Sequence, residues 1–422
     1  MPIYLKQKQP QAAADLSRIR QTVAEMLERV RQEGDEAVRR YSRQFDHWDP
    51  PSFRVSDDDI RRASASLPES LKSDIAFAQA QVRRFAEAQR DHLQDFEVET
   101  LPGVTLGQRC IPIDNAGTYI PGGRYPLIAS AYMSVLVAKV AGVSRIVACA
   151  PPRAGQGIHP PTLHAIATSG ADEIYCLGGV QAMAAMAYGT ETIRPVDFLA
   201  GPGNAYVAEA KRQLFGQVGV DLIAGPSEIL IIADDTARPG VVAADLLAQA
   251  EHDPDAVAVL ITTSHAVGEQ VLAEVGRQLT DLPTRDVAEA AWRINGEIAV
   301  VDGDEAAAAL ADEYASEHVH VVTRDPEWYC RRLHNYGSLF LGAETTVPYG
   351  DKAVGTNHIL PTGCAARYTG GLWVGRYIKV VTYQRLTEDG SAQIAPITAS
   401  ICRAEEMIGH ALAAELRLRE YG

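Results

Sequence analysis

Four stretches of the chain hold residues whose types and spacing suit metal, acid–base or anion chemistry. In LLAQAEHDPDA, positions 246–256, an amide, an acid and an imidazole (Gln249, Glu251 and His252) close an otherwise apolar helical run. Pro239 suits the first turn of that helix and Pro254 disfavours helix at Asp253, so Gln249 and His252 fall in the last turn, three apart and on one face. Imidazole nitrogen and carbonyl oxygen are acceptable ligands for a divalent metal, and the negative end of the helix dipole favours a cation there. Two ligands do not make a site, and a polar last turn that meets water accounts for the same residues.

In DEYASEHVHVV, Glu317 and His318 stand together immediately before a β-branched run. That is a sheet edge, where α/β enzymes gather catalytic groups. Histidine titrates near neutrality and suits general acid–base work, and an adjoining carboxylate can orient water. Taken alone, a solvated loop is the better account of the pair. The segment YGDKAVGTNHILPTG, positions 349–363, sets Asp351, Lys352, Asn357 and His358 in a glycine-punctuated loop after the strand-like GSLFLG. Glycines account for a turn but not for this density of polar groups. Finally, AGPGNAYVAEAKRQLFG reads as strand, glycine turn and helix, which offers backbone N–H groups to a phosphate. It lacks G-x-G-x-x-G and the downstream acid, so the nucleotide reading rests on the turn alone.

Elements must hold these groups in place. Residues 1–105 read as a helical entry segment, with apolar positions three and four apart in SRIRQTVAEMLERVRQEGDEAVRRYSRQFD. From 106 to 237, β-branched runs such as RIVACAPP and LIAGPSEILIIAD alternate with Ala-rich helical ones such as AMAAMAYG, the pattern of a parallel α/β sheet. A second α/β unit is expected over 238–375, with strands at AVAVLITTS, EIAVVD, EHVHVVT and SLFLG and a helix from 265 to about 280. Two sheets imply a cleft between them. Residues 376–422 form a helical tail too short to be stable alone.

With 422 residues and 46% hydrophobic content the chain has material for two or three domains. A formal charge of −15 argues against nucleic acid or an anionic membrane as the main partner, since either needs a basic face. The six cysteines form no C-x-x-C pair, and a chain this size needs no disulfide scaffold, so a reducing, cytoplasmic location is expected. The N-terminal stretch lacks the apolar core and cleavage site of a signal peptide, and no apolar run is long enough to span a bilayer.

Taken in order, YIPGGR, GGVQAMAAMAYGTE, GPGNAYVAEAKRQLFGQVGVDLIAGPSEILIIAD, AQAEHDPDA, YASEHV, GDKAVGTNHILPT and EEMIGHA resemble the histidinol dehydrogenase family over nearly the whole chain. The resemblance implies two Rossmann-like units and a zinc site built from Gln249, His252, Asp351 and His410, the last supplied by the other subunit of a homodimer with shared active sites. It further implies a catalytic pair at Glu317 and His318, NAD contacts at Tyr119, Gln181 and Asn204, and substrate contacts at Ser227 and Glu405. His358 and Lys352 of the glycine-punctuated loop are added as substrate residues. Family members oxidise a primary alcohol through a bound aldehyde to a carboxylate with two NAD in succession, as from L-histidinol to L-histidine.

Two departures bear on the substrate. Histidinol-specific members usually show an aromatic residue after the loop aspartate and E-H-L-E around the catalytic pair, whereas here Lys352 follows Asp351 and the pair reads EHVH. Charge near the site has changed sign. PGGRYPLIAS, LGAETTVPYGDK and YTGGLWVGRYIKVVTYQ also look closer to paralogues of the sulfopropanediol dehydrogenase type, which points to an anionic short diol such as 2,3-dihydroxypropane-1-sulfonate as the alternative substrate. A non-catalytic metal- or nucleotide-binding protein on the same fold is the rival from another class. Against it, the Glu317–His318 pair and all four scattered ligand positions are intact.

Overall fold

Two parallel sheets dominate the computed structural model, which describes residues 2–9, 16–153 and 155–421. The first has five strands in the order Glu173–Cys176, Arg145–Ala150, Asn115–Tyr119, Phe198–Ala200, Gly219–Val220. Asn115–Tyr119 is earliest in sequence and lies in the middle, with two strands wound to one side and the next two to the other. The second sheet repeats that path around Glu228–Ala233: Val257–Thr262 and Gly296–Val300 lie on one side, His318–Val322 and Ser338–Leu341 on the other. Ile3–Lys6 adds an antiparallel edge strand beside Gly296–Val300. Both sheets thus carry the doubly wound order, in which the crossover direction reverses beside the central strand.

The central strands are continuous apolar runs because both faces are covered; in EILIIA every residue after Glu228 is buried. Helix Gly179–Tyr188, GVQAMAAMAY, is buried along almost its whole length, and its alanines let the neighbouring helices Ser17–Glu33 and Ala205–Leu214 pack close. The long helix Glu69–Asp91 buries Ile75, Ala78, Val82 and Ala86 on one face, at helical spacing.

Three expectations about boundaries shift. The strand Glu228–Ala233 falls within the expected first unit but forms the centre of the second sheet, so the second unit begins before residue 228. An apolar run looks the same in either sheet, and pairing alone assigns it. The expected helical segment 1–105 also supplies strands: Ile3–Lys6 in the second sheet, and Phe96–Leu101 in a small antiparallel sheet with Val104–Pro112 and Ile378–Leu386. Residues 376–422 are therefore tied to this three-stranded sheet through nine paired positions of Ile378–Leu386 rather than being helical throughout.

Beyond that strand, helices Glu388–Ala404 and Ile408–Tyr421 pack on each other around Ala395, Ala399, Cys402, Ala411 and Ala414. Their other faces carry Ile397, Ile401, Leu412 and Leu416, each about half exposed. All six cysteines are free. Among the described residues no helix is long and apolar enough to cross a membrane.

Candidate active site

The Glu–His pair lies at the amino edge of the second sheet, not at the carboxyl edge where open α/β sheets usually bind ligands. His318 opens its strand and Glu317 precedes it, while Ser227 and Glu228 stand at the start of the neighbouring central strand. Helix Pro239–Ala250 ends at the same edge, because it returns to feed the next strand, and so delivers Gln249 and His252 there.

Glu228 clamps both members of the pair through its own peptide groups. Its N–H donates to Glu317 Oε2 at 2.9 Å, and its carbonyl accepts from His318 Nδ1 at 2.8 Å. Since a carbonyl only accepts, Nδ1 carries the proton and Nε2 is left facing the cleft. His318 Nε2 lies 3.6 Å from Asp351 Oδ1, an ion-pair contact longer than a hydrogen bond, and is a buried nitrogen without a hydrogen-bond partner. Burial opposes a charge on His318, but Glu317 and Asp351 outweigh it and raise the imidazole to about 9. Burial raises the Glu317 carboxyl to about 8. Asp351 is also buried, yet His318, His358 and Lys352 around it hold its carboxyl well below the usual range. The site therefore contains one firmly ionised carboxylate and one easily protonated carboxyl, which divides roles between them.

Asp351 and Lys352 end a short helix, Val347–Lys352, where a loop was expected, and this helix and the segment after it are stitched across the cleft to the first unit. Tyr132 Oη donates to the Lys352 carbonyl at 2.6 Å, Ser130 Oγ meets His358 Nε2 at 2.8 Å, and Asn357 Nδ2 donates to the Met133 carbonyl at 2.7 Å. Tyr125 Oη similarly reaches the Glu251 carbonyl at 3.0 Å. Tyr132 and Met133 begin a π-helical turn, Tyr132–Leu136, of the kind common beside functional sites. Between these contacts lies a cavity of about 460 Å³ lined by His252, Asp351, Lys352, Tyr125, Tyr132 and Asp74, among others. Lys352 Nζ is 3.8 Å from Asp351 Oδ2, with its side chain about half exposed.

The donors expected for zinc suit a divalent ion. The Gln249 amide is buried with its Nε2 unpartnered, so no hydrogen bond to that nitrogen fixes which way the amide turns and its oxygen can be offered to an ion. Burial lowers the His252 imidazole, which keeps it neutral and its lone pair available. Asp351 supplies a permanent negative oxygen. Among the described residues no three His, Cys, Asp or Glu side chains gather as a ready cluster. His410, expected as the fourth ligand, instead lines a separate cavity of about 610 Å³ in the tail, together with Leu386, Ile394 and Arg417. Glu405 is exposed at the end of the first tail helix. One chain sets His252, Asp351, Glu317, His318, Lys352 and His358 close to one another, with Gln249 and Ser227 at the same sheet edge, whereas His410 and Glu405 lie in the tail.

The residues expected for NAD lie at the carboxyl edge of the first sheet, around its reversal point. Tyr119 ends the central strand, and its hydroxyl accepts the Gly179 N–H at 3.2 Å. Gln181, in the helix that follows, donates to Asp46 Oδ2 at 2.9 Å. Asn204 is exposed and caps helix Ala205–Leu214, its Oδ1 accepting from the N–H groups of Tyr206 and Val207 at 3.0 and 3.1 Å. At the turn between them, a Cβ on Gly201 would lie 2.1 Å from the Tyr119 carbonyl oxygen, so only glycine permits this approach. The reversal point of a doubly wound sheet, with a glycine that lets two main chains approach, suits a dinucleotide.

His320 is buried, with Nδ1 3.3 Å from Asp245 Oδ2 and Nε2 2.9 Å from the Gly342 carbonyl. Glu228, Ser130 and Tyr132 were not foreseen. Glu228 acts through main-chain atoms, which its side-chain type does not signal; the others come from an apolar helix of the opposite unit.

The histidinol dehydrogenase family model matches residues 9–418. A histidinol dehydrogenase homolog of Shouchella clausii is 55% identical over all of both chains. A sulfopropanediol 3-dehydrogenase of Ruegeria pomeroyi is 48% identical, covering 99% of this chain and 96% of its own. The crystal structure of histidinol dehydrogenase from Elizabethkingia anophelis superposes with a TM-score of 0.92 at 38% identity, covering 98% of this chain and 94% of that one. On sequence and fold alike, the chain belongs to the histidinol dehydrogenase family of oxidoreductases.

Proposed function

We propose that this chain is a zinc- and NAD-dependent dehydrogenase that oxidises a primary alcohol through a bound aldehyde to a carboxylate. The observation that carries the reading is the clamped Glu317–His318 pair, whose free Nε2 faces Asp351, itself on the wall of a cavity shared with His252. Gln249, His252 and Asp351 would hold the metal, with His410 of a second copy completing the set. Bound there, zinc supplies Lewis acidity at the substrate oxygen, and NAD at the first sheet supplies the hydride acceptor.

The chain's own residues handle protons and water. His318 Nε2 takes the alcohol proton as the first hydride leaves carbon. The aldehyde stays in the cavity, and Glu317 removes a proton from water as it adds to the carbonyl, while His318 returns its proton to the carbonyl oxygen and is free again as a base. His318 takes the hydroxyl proton of that hydrate while the second hydride departs. Two hydrides leave and one water oxygen enters, which balances the four-electron oxidation.

Two substrate readings compete. The family reaction of L-histidinol to L-histidine is one. The other is an anionic short diol such as 2,3-dihydroxypropane-1-sulfonate, supported by Lys352 on the cavity wall and by the name of the Ruegeria pomeroyi relative. The exposed apolar stripes of the tail helices support a homodimer in which each tail completes the other subunit's site. A screen of alcohols for NADH formation by the zinc-loaded protein tests the reading: two NADH per alcohol consumed are expected, and no NADH from any primary alcohol would refute it.

A further inference from the structure

Lys211 and Asp221 form an ion pair deep in the first unit, with side chains only 3% and 0% exposed. Both charges close on one glycine. Lys211 Nζ donates to the Gly201 carbonyl at 2.9 Å, and the Gly201 N–H donates to Asp221 Oδ2 at 2.8 Å. The other Asp221 oxygen accepts the Leu222 N–H at 2.6 Å. Gly201 has φ +114°, in the left-handed region, and opens the turn between strand Phe198–Ala200 and helix Ala205–Leu214. Its backbone is thus gripped on its N–H and its C=O, and its Cα abuts the Tyr119 main chain.

Stability alone is a poor account of this arrangement. Removing two charges from water costs several kcal/mol each, and an apolar pair of the same volume is often as stable or more so. What an apolar pair cannot do is hold both peptide groups of a glycine in one left-handed conformation. We infer that Lys211 and Asp221 are positioning residues for the dinucleotide site: they fix the 201–204 turn and with it the place of Asn204, the exposed cap of helix Ala205–Leu214, against the dinucleotide. The inference rests on the reading of this edge as the NAD site. Neither residue touches the nucleotide, since both are consumed by Gly201, Leu222 and each other.

The test compares the full-length zinc-loaded protein with the double variant Lys211→Met/Asp221→Leu, which strands no charge. Calorimetric NAD titration, amide hydrogen exchange over 201–204, melting temperature and zinc content are measured. The double variant should melt close to the parent and keep its zinc, yet exchange at 201–204 at least tenfold faster and bind NAD at least tenfold more weakly. Parent-like NAD affinity and exchange in the folded double variant would overturn the inference. Asp221→Asn keeps the shape and removes the ion pair, and serves if the double variant does not fold: tenfold weaker NAD binding with faster exchange at 201–204 is expected, and unchanged affinity and exchange would also overturn it. A parent that binds no NAD would defeat the reading of the edge as a nucleotide site, while the exchange data would still decide whether the pair fixes the turn.

Discussion

His318 donates through Nδ1 to the main-chain carbonyl of Glu228 at 2.8 Å, and this one bond selects Nε2 as the nitrogen able to take a proton. His318→Gln keeps a donor near that carbonyl but removes the base, so the alcohol step should slow by about 100- to 10,000-fold. The pH profile supplies an independent check. Because Glu317 and Asp351 overcome burial and raise His318 to about 9, its basic form grows as pH rises, and the rate should climb from neutrality and level off near pH 9. A rate independent of pH between 6 and 10 would contradict the assignment.

Glu317 accepts the Glu228 N–H at 2.9 Å, a contact that the amide oxygen of Glu317→Gln can still make. Only deprotonation of water is lost. Aldehyde formation should then survive within about tenfold of the parent, while aldehyde oxidation falls by about 100-fold or more. Stopped-flow measurement of the two half-reactions decides, and equal losses would remove the division of roles.

Loss of a ligand strands a metal with an incomplete set. His252→Ala and Asp351→Ala should each lower zinc affinity by more than the roughly 10- to 100-fold typical of losing a supporting partner, and activity should disappear with the metal. Far-ultraviolet circular dichroism should stay parent-like, since both residues lie at element ends. Stoichiometric zinc and normal turnover in either variant would refute the site.

His410 lines a tail cavity away from the Gln249–His252 turn, so its role depends on a second copy. Subunits carrying His410→Ala should be inactive, as should those carrying His252→Ala. Mixed under exchange conditions, they should regain activity, because each heterodimer then holds one complete site. No recovery after exchange verified by mass spectrometry would argue against shared sites.

Lys352 Nζ lies 3.8 Å from Asp351 Oδ2, and Lys352 lines the cavity shared by His252 and Asp351. Unit charges about 4 Å apart interact by about 4 kcal/mol at an effective dielectric of 20, and for a half-exposed side chain in salt roughly 1 kcal/mol of that survives. Lys352→Met should therefore raise KM for an anionic diol about fivefold, with a smaller change in kcat. Efficient turnover of L-histidinol by the parent, with none of any anionic diol, would instead assign the cationic substrate.

Much of this protein is legible in its local sequence. Proline, periodicity and the polar last turn placed Gln249 and His252 on one helix end, and alternating apolar runs announced two α/β units. Local chemistry decides such features, so local sequence carries them. Resemblance supplied the roles of residues too far apart to be linked by spacing. Only the tertiary structure decided which sheet claimed Glu228–Ala233, because a strand buried on both faces carries no mark of its partners. It also decided that the Glu–His pair stands at an amino edge, held by the peptide of Glu228, with the neighbouring Lys352 and His358 tied to Tyr132 and Ser130 of the other unit. Those contacts join residues from about 90 to 230 positions apart, or use backbone atoms common to every residue, and neither kind leaves a trace in composition or pattern.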